Sequence, residues 1–346
     1  MKILIASHAF APSIGGIEST SFDLAKEFCR LGHSVRIVTQ TSSSNPEDDR
    51  GLPVLRQPGK LALLQAVRWC DVFWHNNLGV RTVWPLLVAR RPLVITHAGS
   101  YCLEPAGIDL ALRFKHAIVN RSTSIAVSQH VADCFKSRSI VIPNLYDIGI
   151  FRRRSAELER KRDLIFLGRL VTEKGIDVLL HALNLLRKND LRPNLTIVGS
   201  GPELQPMTAL AIALDIQEQV RFVGPKRGEE LAQVLNEHKI LVVPSRYQEP
   251  FGVVALEGIA CGCVVVGSHG GGLPEAIGPC GATFPNGNSE ELAMALENLL
   301  LHPAEQQHML AAAPAHLARF HPSVIAESYL QVFRSVIEKT DTPKRA

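Results

Sequence analysis

Residues 163–199 read DLIFLGRLVTEKGIDVLLHALNLLRKNDLRPNLTIVG, and this stretch decides the fold. It contains an apolar run (163–168), a helix-length amphipathic segment (174–188) and a second apolar run (194–199). Continuous apolar runs indicate strands that are buried on both faces. Such strands in alternation with helices are typical of a parallel sheet that helices cover on both sides.

The same pattern repeats along the chain. Apolar runs predict strands at 2–6, 34–39, 71–75, 92–96, 123–127, 139–143, 163–168, 194–199, 220–224, 239–244 and 263–268. Helices are predicted from about 18 up to Gly32 and over 174–188, 203–214, 228–236, 252–261 and 290–301, with two more ending near 337. We therefore predict an α/β protein with two tandem doubly wound Rossmann-like domains that face each other across a cleft.

The composition changes between the two repeats. FRRRSAELERKRD (151–163) is highly charged and has few apolar residues, which favours an interdomain linker and a hinge near 148–162. A solvated helix face is the alternative. The prediction is a first domain over 1–150 and a second over 151–321, with a helix at about 322–338 that packs back onto the first.

Bulk properties exclude several classes of protein. The 346 residues are 46% hydrophobic and 20% charged, which suits two ordinary globular cores. No apolar run approaches the ~18 residues of a membrane-spanning helix, and the apolar start MKILIA is too short for a secretory signal. Seven cysteines without zinc-ligand spacing favour a reduced cytoplasmic protein with buried thiols and no metal centre.

The charge is unevenly distributed. Residues 1–150 hold 16 Lys or Arg against 11 Asp or Glu, so the first domain favours an anionic partner, unless this is ordinary scatter. KLALLQAVRW (60–69) and LALRFKHAIVNR (110–121) suggest basic amphipathic segments for peripheral contact with an anionic membrane. Core-facing helices are the alternative reading of both. No nucleic-acid partner is expected.

Ligands of open α/β sheets bind beyond the carboxyl ends of the strands, so the loops there are candidate sites. In FAPSIGGIES (10–19), Gly15 and Gly16 allow a tight positive-φ turn against a ligand, although two glycines in a loop are common. In LGRLVTEKG (167–175), Arg169 and Lys174 flank a helix start, where positive charge would meet a phosphate. The alternative for this loop is plain solvation.

The loop IVGSGPE (197–203) does not complete the dinucleotide-binding fingerprint. Gly199 and Gly201 begin a G-x-G-x-x-G pattern, but Leu204 occupies the third glycine position. A dehydrogenase is therefore not predicted.

The segment VPSRYQEPFGVVALEG (243–258) is the strongest candidate. Gly252 stands near a predicted helix start and exposes backbone amides to a phosphate. Glu257 lies five residues further on, about 7.5 Å along a helix. That offset matches the separation between a diphosphate and a neighbouring ribose diol. A carboxylate in the apolar helix VVALEGIA is costly to bury unless it is paired, which argues for a ligand or a partner.

Glu249 and Glu257 form an E-x7-E pair, and this pattern resembles the signature of the retaining GT-B glycosyltransferases of family 4. The resemblance covers nearly the whole chain. It rests on GGIE (15–18), THAGS (96–100), VIPN with Asp147, GRL with EKG (168–175), IVGSGPE, RFVG (221–224), PSRYQEPFG and GGLPEAIG (271–278).

The resemblance implies a role for each matching residue. Gly168, Arg169 and Lys174 would bind the donor diphosphate, and the amides of Phe251, Gly252 and Val253 would hold its distal phosphate and the sugar. Glu249 would contact the sugar and Glu257 the ribose. The nucleobase would lie against Phe222, Val223 and Gly224.

In the first domain, the resemblance implies that Gly15 and Gly16 close over the diphosphate and that His97 lies near the transferred sugar. From the residues alone, a hydrogen-bonded core histidine remains an alternative for His97, which follows the apolar run 92–96.

The implied reaction is transfer from a nucleotide-diphosphate sugar, UDP- or GDP-linked, to an acceptor hydroxyl with retention of configuration. The acceptor would be a carbohydrate, a lipid-linked or a small molecule, in cell-surface polysaccharide, glycolipid or glycoconjugate synthesis. Neither a cofactor nor a metal is expected, because no D-x-D pair occurs and the paired cations would replace the metal. The alternatives are a nucleotide-sugar epimerase of the same architecture and a non-catalytic two-domain sugar-binding protein.

Overall fold

The computed structural model describes residues 1–13, 15–99, 118–134, 139–154 and 160–341. Two compact units divide the chain. Unit 1 comprises residues 1–145 and the segment that begins at His321, and unit 2 spans Tyr146–Phe320. The chain therefore passes from unit 1 to unit 2 after Leu145 and returns after Phe320.

Unit 1 contains a parallel sheet of seven strands among its described residues. They are β1 (Lys2–Ser7), β2 (Ser34–Thr39), β3 (Val54–Arg56), β4 (Val72–Asn76), β5 (Leu93–His97), β6 (Thr123–Ala126) and β7 (Ile140–Val141). Their order across the sheet is β3-β2-β1-β4-β5-β6-β7. β1 starts the chain yet lies in the middle, with Ile5 paired to Ile37 on one side and Trp74 on the other.

Unit 2 contains a second parallel sheet, of six strands. They are β8 (Arg162–Leu167), β9 (Leu195–Val198), β10 (Val220–Phe222), β11 (His238–Val243), β12 (Val264–Ser268) and β13 (Gly281–Phe284). The order is β10-β9-β8-β11-β12-β13, so the sheet also starts from a central strand and grows to both sides. Two such sheets confirm the predicted doubly wound, Rossmann-like class.

Helices connect most of these strands. The described ones are α1 (Gly16–Arg30), α2 (Lys60–Trp69), α3 (Gln129–Asp133), α4 (Ile176–Lys188), α5 (Leu204–Ala213), α6 (Gly228–Asn236), α7 (Val253–Ala260), α8 (Leu273–Ile277), α9 (Ser289–Leu301), α10 (Pro303–Ala311), α11 (Ala313–Ala318) and α12 (Pro322–Asp341). None of the described helices is long and apolar enough to cross a membrane.

The core of unit 1 depends on its last helix. Tyr329 and Phe333 of α12 are buried against Trp74 of β4 and Phe28 of α1. Aromatic rings of this size contribute several kcal/mol each when buried. α12 is therefore a part of unit 1, although all of unit 2 precedes it in the chain.

The core of unit 2 lies between its sheet and α4. Seven residues of α4 are buried, because apolar side chains recur at helical spacing along IDVLLHALNLL. They pack with buried residues of the central strands, among them Phe166 of β8 and Val242 of β11. This packing lies beneath the loops at the carboxyl edge of the sheet.

The described parts of the predicted linker belong to unit 2. Phe151 is buried, and the amide of Arg154 donates to Asn236 Oδ1 at 3.0 Å. β8 already begins at Arg162. Where it is described, segment 151–163 is therefore fixed by packing and hydrogen bonds, and the change of unit falls earlier, at 145/146.

One further sequence prediction needs correction. Cys29 is exposed and Cys134 is disulfide-bonded, so the expectation of buried, reduced thiols fails at both. Helix α2 covers the segment 60–69 and packs Leu63 and Val67 into the unit 1 core, in agreement with the core-facing interpretation of that segment. Most of the second segment, 110–117, lies outside the described residues.

Candidate active site

The site in unit 2 forms where two loops meet at the carboxyl edge of its sheet. β8 and β11 are neighbours, so the loop after β8 and the loop after β11 run side by side. The amide of Arg246 donates to the carbonyl of Glu173 at 2.8 Å. Gly175 has φ 66°, and a Cβ there would lie 2.0 Å from the Pro244 carbonyl oxygen. Only glycine allows this approach.

Lys174 and Glu249 are in direct contact. Lys174 Nζ lies 2.6 Å from Glu249 Oε1 and 3.2 Å from the hydroxyl of Tyr247. The Ser245 hydroxyl also donates to Glu249 Oε1, at 2.6 Å, and the Tyr247 hydroxyl donates to Oε2. The Glu249 carboxylate thus accepts three hydrogen bonds and is held in one position.

The electrostatics of this cluster follow from its burial. The Glu249 side chain is 7% exposed and that of Lys174 is 20% exposed, so each charge compensates the other in a partly dehydrated site. Burial, followed by the negative charge of Glu249, raises the pKa of Tyr247, while Arg169 acts in the opposite direction. Tyr247 therefore stays protonated and donates. Arg169 itself is exposed.

Asn286, which the sequence patterns did not single out, ties the loops together. Its Nδ2 donates to the carbonyls of Ser245 at 3.1 Å and Tyr247 at 3.2 Å. Its Oδ1 accepts from the amide of Gly270 at 2.7 Å. One side chain after β13 thus joins the loop after β11 to the loop after β12.

Helix α7 begins beside this cluster. Its N-cap, Gly252, has φ 98°, and a Cβ there would lie 2.5 Å from a methyl carbon of Leu273. Phe251 is buried with its ring 5.7 Å from that of Phe320. The amides of Phe251 and Gly252 donate to no acceptor within the described chain. Unsatisfied amides at a helix start attract anions.

The other predicted donor residues of unit 2 lie on the same sheet edge. Glu257 is half-buried on α7, so burying its charge costs less than the apolar sequence suggested. Phe222 is the last residue of β10. The amide of Val223 donates to the carbonyl of Ile197 in β9, and the amide of Gly199, just after β9, donates to the carbonyl of Gly224. The Gly168 amide donates to Val198 O at 3.1 Å.

The remaining predicted residues belong to unit 1. Gly15 is extended at φ 177° and does not form the expected positive-φ turn. A Cβ on it would lie 2.6 Å from Glu18 Oε2, the end of a flexible side chain that can move aside. Gly16 is the first residue of α1.

His97 is the last residue of β5 and is 1% exposed. Its Nε2 is 3.2 Å from the Ser124 hydroxyl, and burial lowers its pKa to about 4.

These features agree with comparisons to known proteins. Residues 147–316 match the sequence profile of the family described as "Glycosyl transferases group 1". A "D-inositol 3-phosphate glycosyltransferase" of Frankia alni is 32% identical over 310 residues, which cover 81% of this chain and 72% of the relative. The chain belongs to the group 1 glycosyltransferases.

Other relatives align over a shorter stretch. A protein of the same name from Corynebacterium jeikeium is 36% identical over 186 residues, 51% of this chain. The chain spans only 44% of that relative and 43% of the one from Saccharomonospora viridis.

Solved structures share the fold over nearly the full chain. Anabaena Alr3699/HepE, in a complex with UDP, superposes with a TM-score of 0.83 at 22% identity and covers 97% of this chain and 100% of its own. Sucrose-phosphate synthase from Thermosynechococcus elongatus superposes with a TM-score of 0.78 at 22% identity. The aligned region covers 98% of this chain and 99% of that protein. At this identity the likeness shows the fold class, GT-B, and nothing finer.

Proposed function

We propose that the chain is a retaining glycosyltransferase of the family 4 type that transfers a sugar from a nucleotide-diphosphate sugar to an acceptor hydroxyl. The observation that carries this proposal is the Lys174–Glu249 pair, held by Ser245 and Tyr247 beside the start of α7. A fixed cation next to unsatisfied helix amides suits a diphosphate better than any neutral ligand.

Each residue of unit 2 would then have a defined task. Lys174 and Arg169 would bind the diphosphate and stabilise the negative charge that develops as it leaves. The amides of Phe251, Gly252 and Val253 would bind its distal phosphate. Glu249 would fix Lys174 and accept from a sugar hydroxyl, since a carboxylate has about four acceptor positions and three are occupied.

The nucleoside would extend along the same edge of the sheet. Glu257 would accept from the ribose diol, and 222–224 with Gly168 would line the base and the diphosphate. Unit 1 would bind the acceptor, with Gly15, Gly16 and His97 facing the donor. No cofactor is required in this scheme, because the nucleotide sugar is itself the substrate.

We propose UDP or GDP as the nucleotide. Two of the structural neighbours are described as complexes with UDP, and the relative from Frankia alni is named "D-inositol 3-phosphate glycosyltransferase". An acceptor hydroxyl on a sugar, a lipid-linked sugar or a cyclitol fits these names. The product would be a cell-surface polysaccharide, a glycolipid or a glycoconjugate.

Thermal shift with UDP, GDP, ADP and dTDP tests the donor site, because a ligand of the native state raises the Tm. We expect at least one nucleotide to raise it, and Lys174→Ala to abolish that rise. Lys239→Ala is the matched control, since Lys239 also forms a salt bridge, to Asp163 at 2.9 Å, but at the amino end of β11. If a nucleotide raises the Tm of Lys174→Ala as much as it raises the Tm of Lys239→Ala, the assigned donor site is wrong.

Product analysis tests the reaction. NMR of the product should show the anomeric configuration of the donor, and activity should persist in EDTA if the cations replace a metal. Turnover of the donor to a second nucleotide sugar without any acceptor would favour the epimerase instead. Co-sedimentation with anionic vesicles at low salt tests membrane contact by unit 1, and no binding there removes that part of the proposal.

A further inference from the structure

Two buried aromatic side chains lie behind the start of α7 and have no task in the proposed function. His316 is on α11, and Phe320 follows that helix as the last residue of unit 2. His316 is 3% exposed and Phe320 is 2% exposed. Both residues therefore act on a ligand only through the residues that they contact.

Phe320 packs against the start of α7. Its ring centroid lies 5.7 Å from that of Phe251 and 5.0 Å from that of His316. Phe251 is itself buried, so the packing of its ring fixes the place of its backbone amide. This amide and the next one, of the N-cap Gly252, donate to no acceptor within the described residues. The ring contacts thus set the position of two amides that are open to an anion.

His316 holds α8 through a hydrogen bond. Its Nε2 lies 2.8 Å from the carbonyl oxygen of Ala276, which can only accept, so Nε2 carries the proton. Burial lowers the pKa of His316, and the ring is therefore neutral at pH 7. Gly278, with φ 52°, follows α8 at the point where a Cβ would collide with this ring. Glycine at that position lets the imidazole reach the helix.

The start of α8 contacts both loops of the donor site. The amide of Gly272 donates to the carbonyl of Glu249 at 2.7 Å. Leu273 lies against Gly252, where a Cβ would be 2.5 Å from one of its methyl carbons. Because α8 has only five residues, a shift at Ala276 also moves its first turn. The imidazole thereby supports the backbone of the carboxylate loop and the start of α7 together.

We propose that His316 and Phe320 are positioning residues for donor binding. The inference rests on the proposed function, because it assigns both residues to the diphosphate site of that function. His316 fixes α8 by its hydrogen bond, and Phe320 fixes the start of α7 by its ring. The diphosphate is the group that depends on them, since charge-assisted bonds from fixed backbone amides weaken when the amides are displaced.

Hydrogen exchange on the ligand-free full chain tests the first step. His316→Phe keeps an aromatic ring and loses the donor, so the amide of Gly272 should exchange about tenfold faster relative to that of Val242. Val242 is buried in the central strand β11 and reports the opening of unit 2 as a whole. His316→Gln retains a side-chain N–H donor and should restore most of the protection.

His238→Phe is the matched control for exchange. His238 is also buried and lies 2.6 Å from a backbone carbonyl, that of Val234, but it stands at the amino end of β11. This variant should destabilise unit 2 and leave the ratio of Gly272 exchange to Val242 exchange unchanged. A merely structural role of His316 would give the same result in both histidine variants.

Nucleotide affinity tests the second step. Calorimetry uses whichever of UDP, GDP, ADP and dTDP raises the Tm of the wild type. Its Kd should rise about tenfold in His316→Phe and in Phe320→Leu, because the displaced amides bind the diphosphate less well. The Kd should stay within a few-fold of the wild type in His316→Gln and in His238→Phe.

Either of two results overturns the proposal. One is an exchange ratio that is the same in His316→Phe and His238→Phe. The other is a nucleotide Kd that stays within twofold of the wild type in both His316→Phe and Phe320→Leu. A wild type that binds none of the four nucleotides refutes the proposed function and the donor role of both residues with it, whereas faster exchange at Gly272 would still show that His316 holds α8.

Discussion

Glu249 shows how the burial of a single carboxylate is compensated. Removing a carboxylate from water costs several kcal/mol, and Lys174 together with two hydroxyl donors offsets that cost. Loss of either ionic partner leaves an uncompensated charge. The pair therefore stabilises the loops only as a unit, and close glycine contacts lie next to both members, at Gly175 and at Gly271.

Asn286→Ala should reduce kcat/KM by about tenfold or more, because the loop carrying Ser245 and Tyr247 loses its tie to Gly270. Steady-state kinetics with the donor measures the effect. Asn298→Ala is the control, since its side-chain amide donates only to Glu305 in the described chain, in an exposed hydrogen bond. Equal kinetics for the two variants would contradict a positioning role for Asn286.

The sequence predicted part of this cluster. Lys174 precedes a turn-forming glycine after a predicted strand, a local signal that can be recognised without a structure, and Glu249 was singled out by the E-x7-E resemblance. Ser245 and Tyr247 carry no such signal, and Asn286 acts across 39 residues on a loop that precedes it. Only the parallel pairing of β11, β12 and β13 brings that amide to the site.

At the scale of elements, glycines at the carboxyl edge of the unit 2 sheet allow close backbone contacts between neighbouring loops. A Cβ on Gly199 would lie 1.8 Å from the carbonyl oxygen of Gly168, and one on Gly201 would lie 2.2 Å from that of Leu170. The loop after β9 thus supports the loop after β8. The failed dinucleotide pattern is explained in this way, because its glycines serve loop packing.

Gly175→Ala should destabilise unit 2 by about 3 kcal/mol or more, because the added methyl meets the Pro244 carbonyl in a left-handed backbone. Chemical denaturation measures the change. Gly228→Ala is a control with φ 53° and no heavy atom within 4 Å of the new carbon, so it should lose only about 1 kcal/mol. Similar losses in both variants would show that strain, and not the contact, dominates.

The predicted strands all occur, with ends shifted by a few residues. Two strands escaped prediction, β3 and β13, and each lies at the edge of its sheet. An edge strand is covered on fewer sides and needs fewer apolar residues. The sequences VLR of β3 and GATF of β13 therefore contain only a weak apolar pattern for predicting a strand. The described parts of the predicted linker belong to unit 2. Its charged composition hid Phe151, which anchors the segment to unit 2.

At the scale of the molecule, unit 1 relies on aromatic packing from α12. Tyr329→Ala should cost about 3–5 kcal/mol, since the ring packs 5.1 Å from that of Trp74 and is 1% exposed. Tyr329→Phe removes only the contact of its hydroxyl with Thr96 Oγ1 at 3.1 Å and should cost about 1 kcal/mol. Denaturation followed by Trp fluorescence distinguishes the two, and equal losses would contradict the packing role.

The free energy of unfolding should decrease as the pH is lowered. Burial lowers the pKa of His75 to about 3 and of His97 and His238 to about 4, below the unfolded value of 6.5. Below pH 6.5 the unfolded chain binds more protons, so the free energy of unfolding decreases from there to about pH 4. Each histidine contributes up to about 1.4 kcal/mol per pH unit. A pH series of denaturation curves measures this, and a flat profile would contradict it.

The return of the chain to unit 1 after Phe320 has a consequence for biosynthesis. The seven strands of unit 1 are synthesised first. Trp74 and Phe28 cannot pack against α12 until residues 322–341 have left the ribosome. Unit 2 is continuous in the chain and can acquire its native packing earlier. The nascent first sheet therefore exposes aromatic surface for most of translation, and exposed apolar surface of this kind promotes aggregation.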